Sequence, residues 1–229
     1  MVLANAAQHY ASPEDDVLCQ PDLWSDAYHP SAGCRIKRCV DILGSLVGLV
    51  LLVMIFLPVA AAIYIDSPGP ILYSQIRYGL GAKPFKIWKF RSMVPEADRL
   101  KDLVENQAQG HIFKNENDPR ITQVGQFLRR TSLDEFPQFW NVLKGDMSLV
   151  GTRPPTADEV AQYEPHHLKR LNVKPGLTGQ WQVSGRSEIK DFEEIVELDL
   201  LYQQLWSPVH DLHLISKTVG HLLSRSGAY

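Results

Sequence analysis

From Ile42 to Ile65 the chain runs for 24 consecutive residues without a charge, rich in Leu, Val, Ile and Ala. A straight helix of that length rises roughly 36 Å, enough to cross a hydrocarbon core of about 30 Å. An ordinary spanning helix is one reading. Pro58, two-thirds of the way along, removes a backbone hydrogen bond and bends such a helix. Arg35, Lys37 and Arg38 precede the run, and Arg77, Lys83, Lys86, Lys89 and Arg91 follow it. Basic residues beside membrane segments favour the cytoplasmic side. A helix that enters, breaks near Pro58 and returns to the same face satisfies both clusters, its freed polar groups covered by protein or interfacial water. Residue physics leaves both topologies open and favours re-entry. The second cluster alternates with Tyr78, Phe85, Trp88 and Phe90, which reads as an interfacial belt at head-group level.

Beyond the apolar run, Asp66 to Pro70 is a turn. Ile71–Ile76 and Phe85–Phe90 read as strands joined by a glycine-containing connection, Gly79–Lys83. Pro95 opens an amphipathic helix with Ala97, Leu100, Leu103 and Val104 on one side. Residues 110–120 are a polar loop, and Val124–Arg130 is a short helix. A further helix runs from Asp134 to Leu143, closed by Lys144, Gly145 and Asp146. Residues 157–171 form another, with His166 and His167 on its surface. Pro175-Gly176 and Thr178-Gly179 bracket a tight turn, and helices follow near 189–205 and 209–223. The last carries Leu212, Ile215, Val219, Leu222 and Leu223 on one stripe, facing either the core or a membrane surface.

The expected organisation is a polar, flexible tail (1–34), a membrane hairpin (35–66) and a catalytic domain (67–229). The fold class is α/β, mostly helical, with a short β-hairpin. A formal net charge of −3 over 229 residues gives no bulk basicity for nucleic acid. Three cysteines, Cys19, Cys34 and Cys39, without a CxxC pair, suit neither a disulfide framework nor a zinc site. The tail has no basic region followed by an apolar one, so no cleavable signal peptide is expected.

Residues 129–154 hold the candidate chemistry. Ser132 with Glu135 three residues on has the pattern of a capping box, in which the acids merely cap a helix. Pro137 disputes that register, since it would fall at the fifth helical position. A start at Asp134 places the proline inside the first turn, where its missing donor costs nothing. Asp134 and Glu135 then stand at the positive end of a helix, which favours their ionised forms. Their side chains diverge by about 100°, so one can attack phosphorus while the other flanks a metal. Magnesium commonly uses one or two carboxylates and takes its other ligands from phosphates and water. Spacing alone leaves cap and reaction centre equally open. Arg129, Arg130, Arg153 and Arg186 surround the pair in turns and helix ends, and guanidinium groups suit bidentate phosphate contacts. Trp181 and Gln182 are candidates either for a nucleotide pocket or for core packing.

The runs KFRSM (89–93), TSLDEFPQFWNVLKGDMSLVGTRP (131–154) and KPGLTGQWQVSGR (174–186), with the Pro58-broken apolar segment, resemble the bacterial sugar transferase family. These are the monotopic polyprenyl-phosphate sugar-1-phosphate transferases. The resemblance spans about 195 residues, from Arg35 to Tyr229. It implies a cytosolic catalytic domain fixed to a re-entrant hairpin on the bacterial inner membrane. It also implies transfer of a sugar 1-phosphate from a UDP-sugar to undecaprenyl phosphate. Asp134 matches the family's nucleophile and Glu135 its magnesium support, with both carboxylates near the metal. Arg129, Arg153 and Arg186 match phosphate- and nucleotide-contacting arginines. Thr152 stands where many members have proline. Larger relatives carry further membrane helices and a soluble domain for which this chain has no room. Sugar identity, glycan pathway and any homodimer stay open at this level. Two other functions share the same residues: a membrane phosphatase or pyrophosphatase using water, and a non-catalytic membrane adaptor.

Overall fold

The computed structural model describes residues 28–113, 115–185 and 189–224. Helix α1, Arg35–Asp66, contains the whole uncharged run and continues through Pro58. Its buried residues, Lys37, Asp41, Ser45, Gly48 and Ile63, fall on one stripe at intervals built from steps of three and four. Leu52, Phe56 and Val59 extend that stripe against a cluster around Phe90 and Leu128. Leu43, Val47, Val50, Val53, Met54 and Leu57 are exposed. The helix therefore offers one face to the protein along its length and an apolar face outward.

Both ends of α1 are fastened to the same body. Lys37 Nζ donates to Asp211 Oδ2 at 2.7 Å and to the Val150 carbonyl at 2.8 Å. Arg38 donates to the carbonyls of Val142 and Leu143 at 2.8 and 2.6 Å. Asp41 Oδ1 accepts from Ser148 Oγ and the Leu149 amide, each at 2.8 Å. At the other end Asp66 Oδ2 accepts from the Val124 amide at 2.9 Å. Lys37 and Arg38, expected at a membrane flank, are thus used in internal bonds.

Strands β1 (Leu72–Tyr78) and β2 (Pro84–Phe90) form the expected antiparallel hairpin, with Gln75 opposite Ile87 and Tyr73 opposite Lys89. Gly81 takes φ 62° in its connection, a conformation that glycine adopts without strain. The cluster read as an interfacial belt is divided by the fold. Phe90 and Arg91 are buried, Arg91 donates to the Ser67 carbonyl, and only Lys83 and Lys86 among the five cations are exposed. The helix after Pro95 is a 3-10 segment, Ala97–Leu103, that buries Ala97 and leaves Leu103 exposed.

Helix α2 (Gln123–Arg130) is capped by Thr122, which accepts from the Gly125 amide. A 3-10 segment, Leu133–Gln138, leads into α3 (Phe139–Lys144), which ends at Gly145 with φ 93°. Strand β3 (Ser148–Val150) follows. The predicted single helix over 157–171 is broken into α4 (Ala157–Val160), α5 (Pro165–Leu168) and a 3-10 turn, Lys169–Asn172. Pro165, with no amide hydrogen, restarts the second piece. The predicted tight turn is instead β4 (Gly176–Thr178), parallel to β3. A Cβ on Gly151 would meet the Lys174 carbonyl at 2.1 Å, so the backbones approach too closely for a side chain there.

The chain ends in α6 (Gln180–Val183), α7 (Phe192–Leu205) and α8 (Pro208–Ser224). Helix α8 buries Asp211 and Leu214. Of that stripe Ile215 packs against the core cluster around Val150 and Tyr202, while Leu212, Val219 and Leu222 face outward. His167 is only 1 % exposed, so its surface assignment is corrected: Nδ1 accepts from the Glu164 amide at 2.9 Å while Nε2 meets Glu193 at 2.7 Å. The main core clusters lie around Phe192–Ile195, Val150–Tyr202 and Ile63–Phe90.

Candidate active site

Strand alternation puts Tyr73, Gln75 and Arg77 on one face of the hairpin, beside Ile87 and Lys89 of the neighbouring strand. This face lines a groove of about 1770 Å3 that also contains Ser92, Arg129, Asp134, Arg153 and Glu159. An adjoining cavity of about 150 Å3 is lined by Arg77, Lys89, Glu135, Gln138, Arg153, Trp181 and Gln182, among others. The structure thus gathers Asp134, Glu135, Arg129 and Arg153 into one region. Arg186 lies outside the described residues.

The acidic pair sits in the 3-10 segment Leu133–Gln138, one residue earlier in register than the sequence suggested. Ser132 precedes it at φ 55° and makes no side-chain cap bond, so the capping box is absent. Pro137 occupies the fifth position after all. The change to 3-10 winding and the left-handed Ser132 accommodate it. Asp134 is buried at 7 % exposure. Glu135 Oε1 pairs with Lys89 Nζ at 3.1 Å.

Each arginine is held by a neighbour. Arg129 Nε donates to Ser92 Oγ at 2.9 Å. Helix α2 meets the Ser92 backbone at Gly125, where a Cβ would lie 1.9 Å from the Ser92 carbonyl oxygen. Arg153 binds both Glu159 oxygens, at 2.8 and 2.9 Å. Glu159 in turn completes a capping box with Thr156. Burial alone would raise the Glu159 carboxyl, but Arg153 holds it below its ordinary value. Burial also opposes the Arg153 charge, and Glu159 nevertheless lifts that group above the ordinary arginine value.

Arg77 was not singled out by the sequence as a site residue. It donates to the Pro154 carbonyl and to Gln75 Oε1, both at 3.0 Å. Among the described residues no carboxylate lies within ion-pair distance of it. Burial, and then the Arg153 charge, lower it from its ordinary value to about 10. Lys89, Ser92 and Glu159 are further additions. The period-two alternation of the hairpin held the signal for Arg77 and Lys89, because it places them on one face.

The guanidinium and ammonium groups here are suited to charge-assisted bonds with an anion, beside two carboxylates suited to nucleophilic or metal-supporting roles. Residues 32–225 match the model of the bacterial sugar transferase family. The chain belongs to that family. Among its relatives within the sugar transferases, the galactosyl transferase CpsE of Streptococcus agalactiae is 48 % identical over 194 residues, covering 84 % of this chain and 43 % of the relative. The undecaprenyl-phosphate galactose phosphotransferase of Salmonella typhimurium is 42 % identical over 85 % of this chain and 42 % of its own length. The chain therefore spans less than half of these two relatives. The exopolysaccharide production protein ExoY of Rhizobium meliloti is 36 % identical, with 86 % of this chain and 89 % of the relative covered.

Proposed function

We propose that the protein transfers a sugar 1-phosphate from a UDP-sugar to undecaprenyl phosphate, the first membrane step of a bacterial polysaccharide. The observation that carries this reading is the adjacent Asp134 and Glu135, which line adjoining pockets that both contain Arg77, Lys89 and Arg153, in a chain that also carries a long apolar helix. The names of the Salmonella relative and of an Escherichia coli UDP-glucose:undecaprenyl-phosphate glucose-1-phosphate transferase support it.

An Asp134 oxygen attacks the β-phosphorus of the UDP-sugar, and the bond to the bridging oxygen breaks as UMP departs. The sugar phosphate stays on Asp134 as an acyl phosphate. A phosphate oxygen of the polyprenyl acceptor then attacks the same phosphorus, and the Asp134 carboxylate leaves. Arg77, Arg129 and Arg153 hold the diphosphate in line and offset its charge. Lys89 holds Glu135 in place. The donor set fits magnesium, since the pair offers hard carboxylate oxygens and phosphates would complete the shell. Asp134 and Glu135 would hold the ion, which would supply further neutralisation of the transferred phosphate.

The anchor reading follows from the fastening of α1. Lys37 and Asp41 at one end and Ile63 and Asp66 at the other contact one body, whereas a helix crossing a core of about 30 Å would part its ends. These contacts support attachment from one membrane face, read here as the cytosolic face of the inner membrane, while the expected break near Pro58 does not interrupt α1. Purified protein with magnesium, undecaprenyl phosphate and a panel of UDP-sugars should release UMP, and Asp134→Asn should release none. Full activity in that variant would sink the proposal, because asparagine caps helices as well as aspartate does. Free sugar phosphate in excess over lipid-linked product would point to a phosphatase instead.

A further inference from the structure

The small cavity beside Glu135 contains buried polar groups that the fold leaves unanswered. Gln138 is 3 % exposed and Trp181 9 %, yet Gln138 Nε2 and Trp181 Nε1 have no hydrogen-bond partner, and neither has the buried Gln182 Oε1. All three residues line the cavity of about 150 Å3, as do Arg77, Arg153 and Lys89. A buried group left unpaired costs about 1–3 kcal/mol. Three in one small cavity are a cost that a ligand can relieve.

The groups that line the cavity are of two chemical kinds. Arg77, Arg153 and Lys89 are donors only and carry charge, which suits phosphate oxygens. Trp181 offers a neutral donor, and the amides of Gln138 and Gln182 each carry a donor and an acceptor. A phosphate oxygen has no hydrogen to give to Gln182 Oε1. A hydroxyl group both donates and accepts, so a polyhydroxylated ring satisfies the neutral groups where an anion cannot. The carboxamides are positioned by the Leu133–Gln138 segment and by α6, which begins directly after β4.

We propose that Gln138, Trp181 and Gln182 bind the hydroxyl groups of the transferred sugar and set the sugar preference, while Arg77 and Arg153 hold the adjoining phosphate. This assignment rests on the proposed transferase function, and it leaves the nucleotide to the larger groove. Loss of hydrogen bonds to substrate hydroxyls separates substrates that differ only there.

The test compares the complete, membrane-reconstituted protein with its Trp181→Phe, Gln138→Met and Gln182→Met variants. Each variant should lose about tenfold in kcat/KM for the best UDP-sugar and discriminate less between UDP-glucose and UDP-galactose. Inhibition by UMP should stay within about twofold of the parent. Parallel weakening of UMP inhibition would assign the cavity to the nucleotide and overturn the proposal, as would unchanged kcat/KM and preference. Gln138→Met decides the matter should Trp181→Phe fail to fold, since the tryptophan also packs against Phe192. If the parent releases no UMP from any UDP-sugar, the transferase reading fails on its own. Calorimetry with glucose 1-phosphate and inorganic phosphate then decides the cavity. Weaker binding of the sugar phosphate alone in the variants sustains the assignment, and equal binding ends it.

Discussion

Lys89 and Glu135 meet where the hairpin touches the 3-10 segment, with Nζ 3.1 Å from Oε1. Both side chains are partly exposed to the groove, so the pair contributes little to stability and its effect is on the orientation of the carboxylate. Lys89→Met should lower kcat by roughly ten- to hundredfold, the usual cost of removing a group that orients a metal-supporting ligand, with the thermal midpoint within a few degrees of the parent. Steady-state UMP release and a melting scan check both halves.

Arg77 presents the reverse balance. Its guanidinium is half-buried without a carboxylate within ion-pair distance among the described residues, so the folded protein bears part of its desolvation cost. Arg77→Met should leave stability unchanged or slightly raised while weakening UMP binding about tenfold or more. An anion bound there would favour the charged form, so UMP affinity in the parent should fall as pH rises through about 10. Calorimetry across pH 8 to 10.5 reads this.

Gly125 and Ser92 couple a backbone contact to an arginine. A Cβ at Gly125 would lie 1.9 Å from the Ser92 carbonyl oxygen and 2.7 Å from its carbon. Gly125→Ala should therefore cost at least about 1–3 kcal/mol and reduce activity together with stability. Ser92→Ala removes only the hydroxyl that Arg129 uses. It should keep the melting temperature nearly intact while kcat/KM falls about tenfold.

Asp118 and Arg120 form a buried pair at 2.6 Å. Burial acts to raise the Asp118 carboxyl, but the bonds from Arg120 outweigh it and hold the group below its ordinary 3.8. The folded state then binds fewer protons than the unfolded one, so this stabilisation is complete above about pH 4 and is lost as pH falls through the lowered value. Asp118→Asn should cost about 3 kcal/mol at neutral pH and flatten the acid limb between about pH 4 and 2. Thermal midpoints against pH give the comparison.

Lys37 is buried against Asp211, whose other partners are Tyr202 Oη at 2.9 Å and Trp206 Nε1 at 3.2 Å. Lys37→Met should destabilise by about 3–5 kcal/mol by stranding that carboxylate, and adding Asp211→Leu should recover much of the loss. Chemical denaturation in detergent measures both.

The sequence showed most of the local elements and half of the site. Strong periodicity made α1, the hairpin, α2 and α7 legible, and the dense motif around Asp134 made the acidic pair and two arginines legible. Arg77 and Lys89 were misplaced because a basic cluster beside an apolar run has the same composition whether it faces head groups or a groove; only strand pairing separates the two. His167 was misread and the face of α8 was left open because burial depends on packing from distant segments, Glu193 for the first and the β3–β4 region for the second. Strand β4 escaped because three residues flanked by glycine and proline look like a turn until β3 lies alongside.

Helix α1 is phased to the body beneath it. One inserted residue would rotate everything beyond it by about 100° and turn exposed leucines onto the Phe90 cluster. Seven residues, nearly two whole turns, would restore the phase but carry Ile63 about 10 Å past its seat. Exchange of this segment between relatives should therefore tolerate many substitutions on the outward face and almost no change in length.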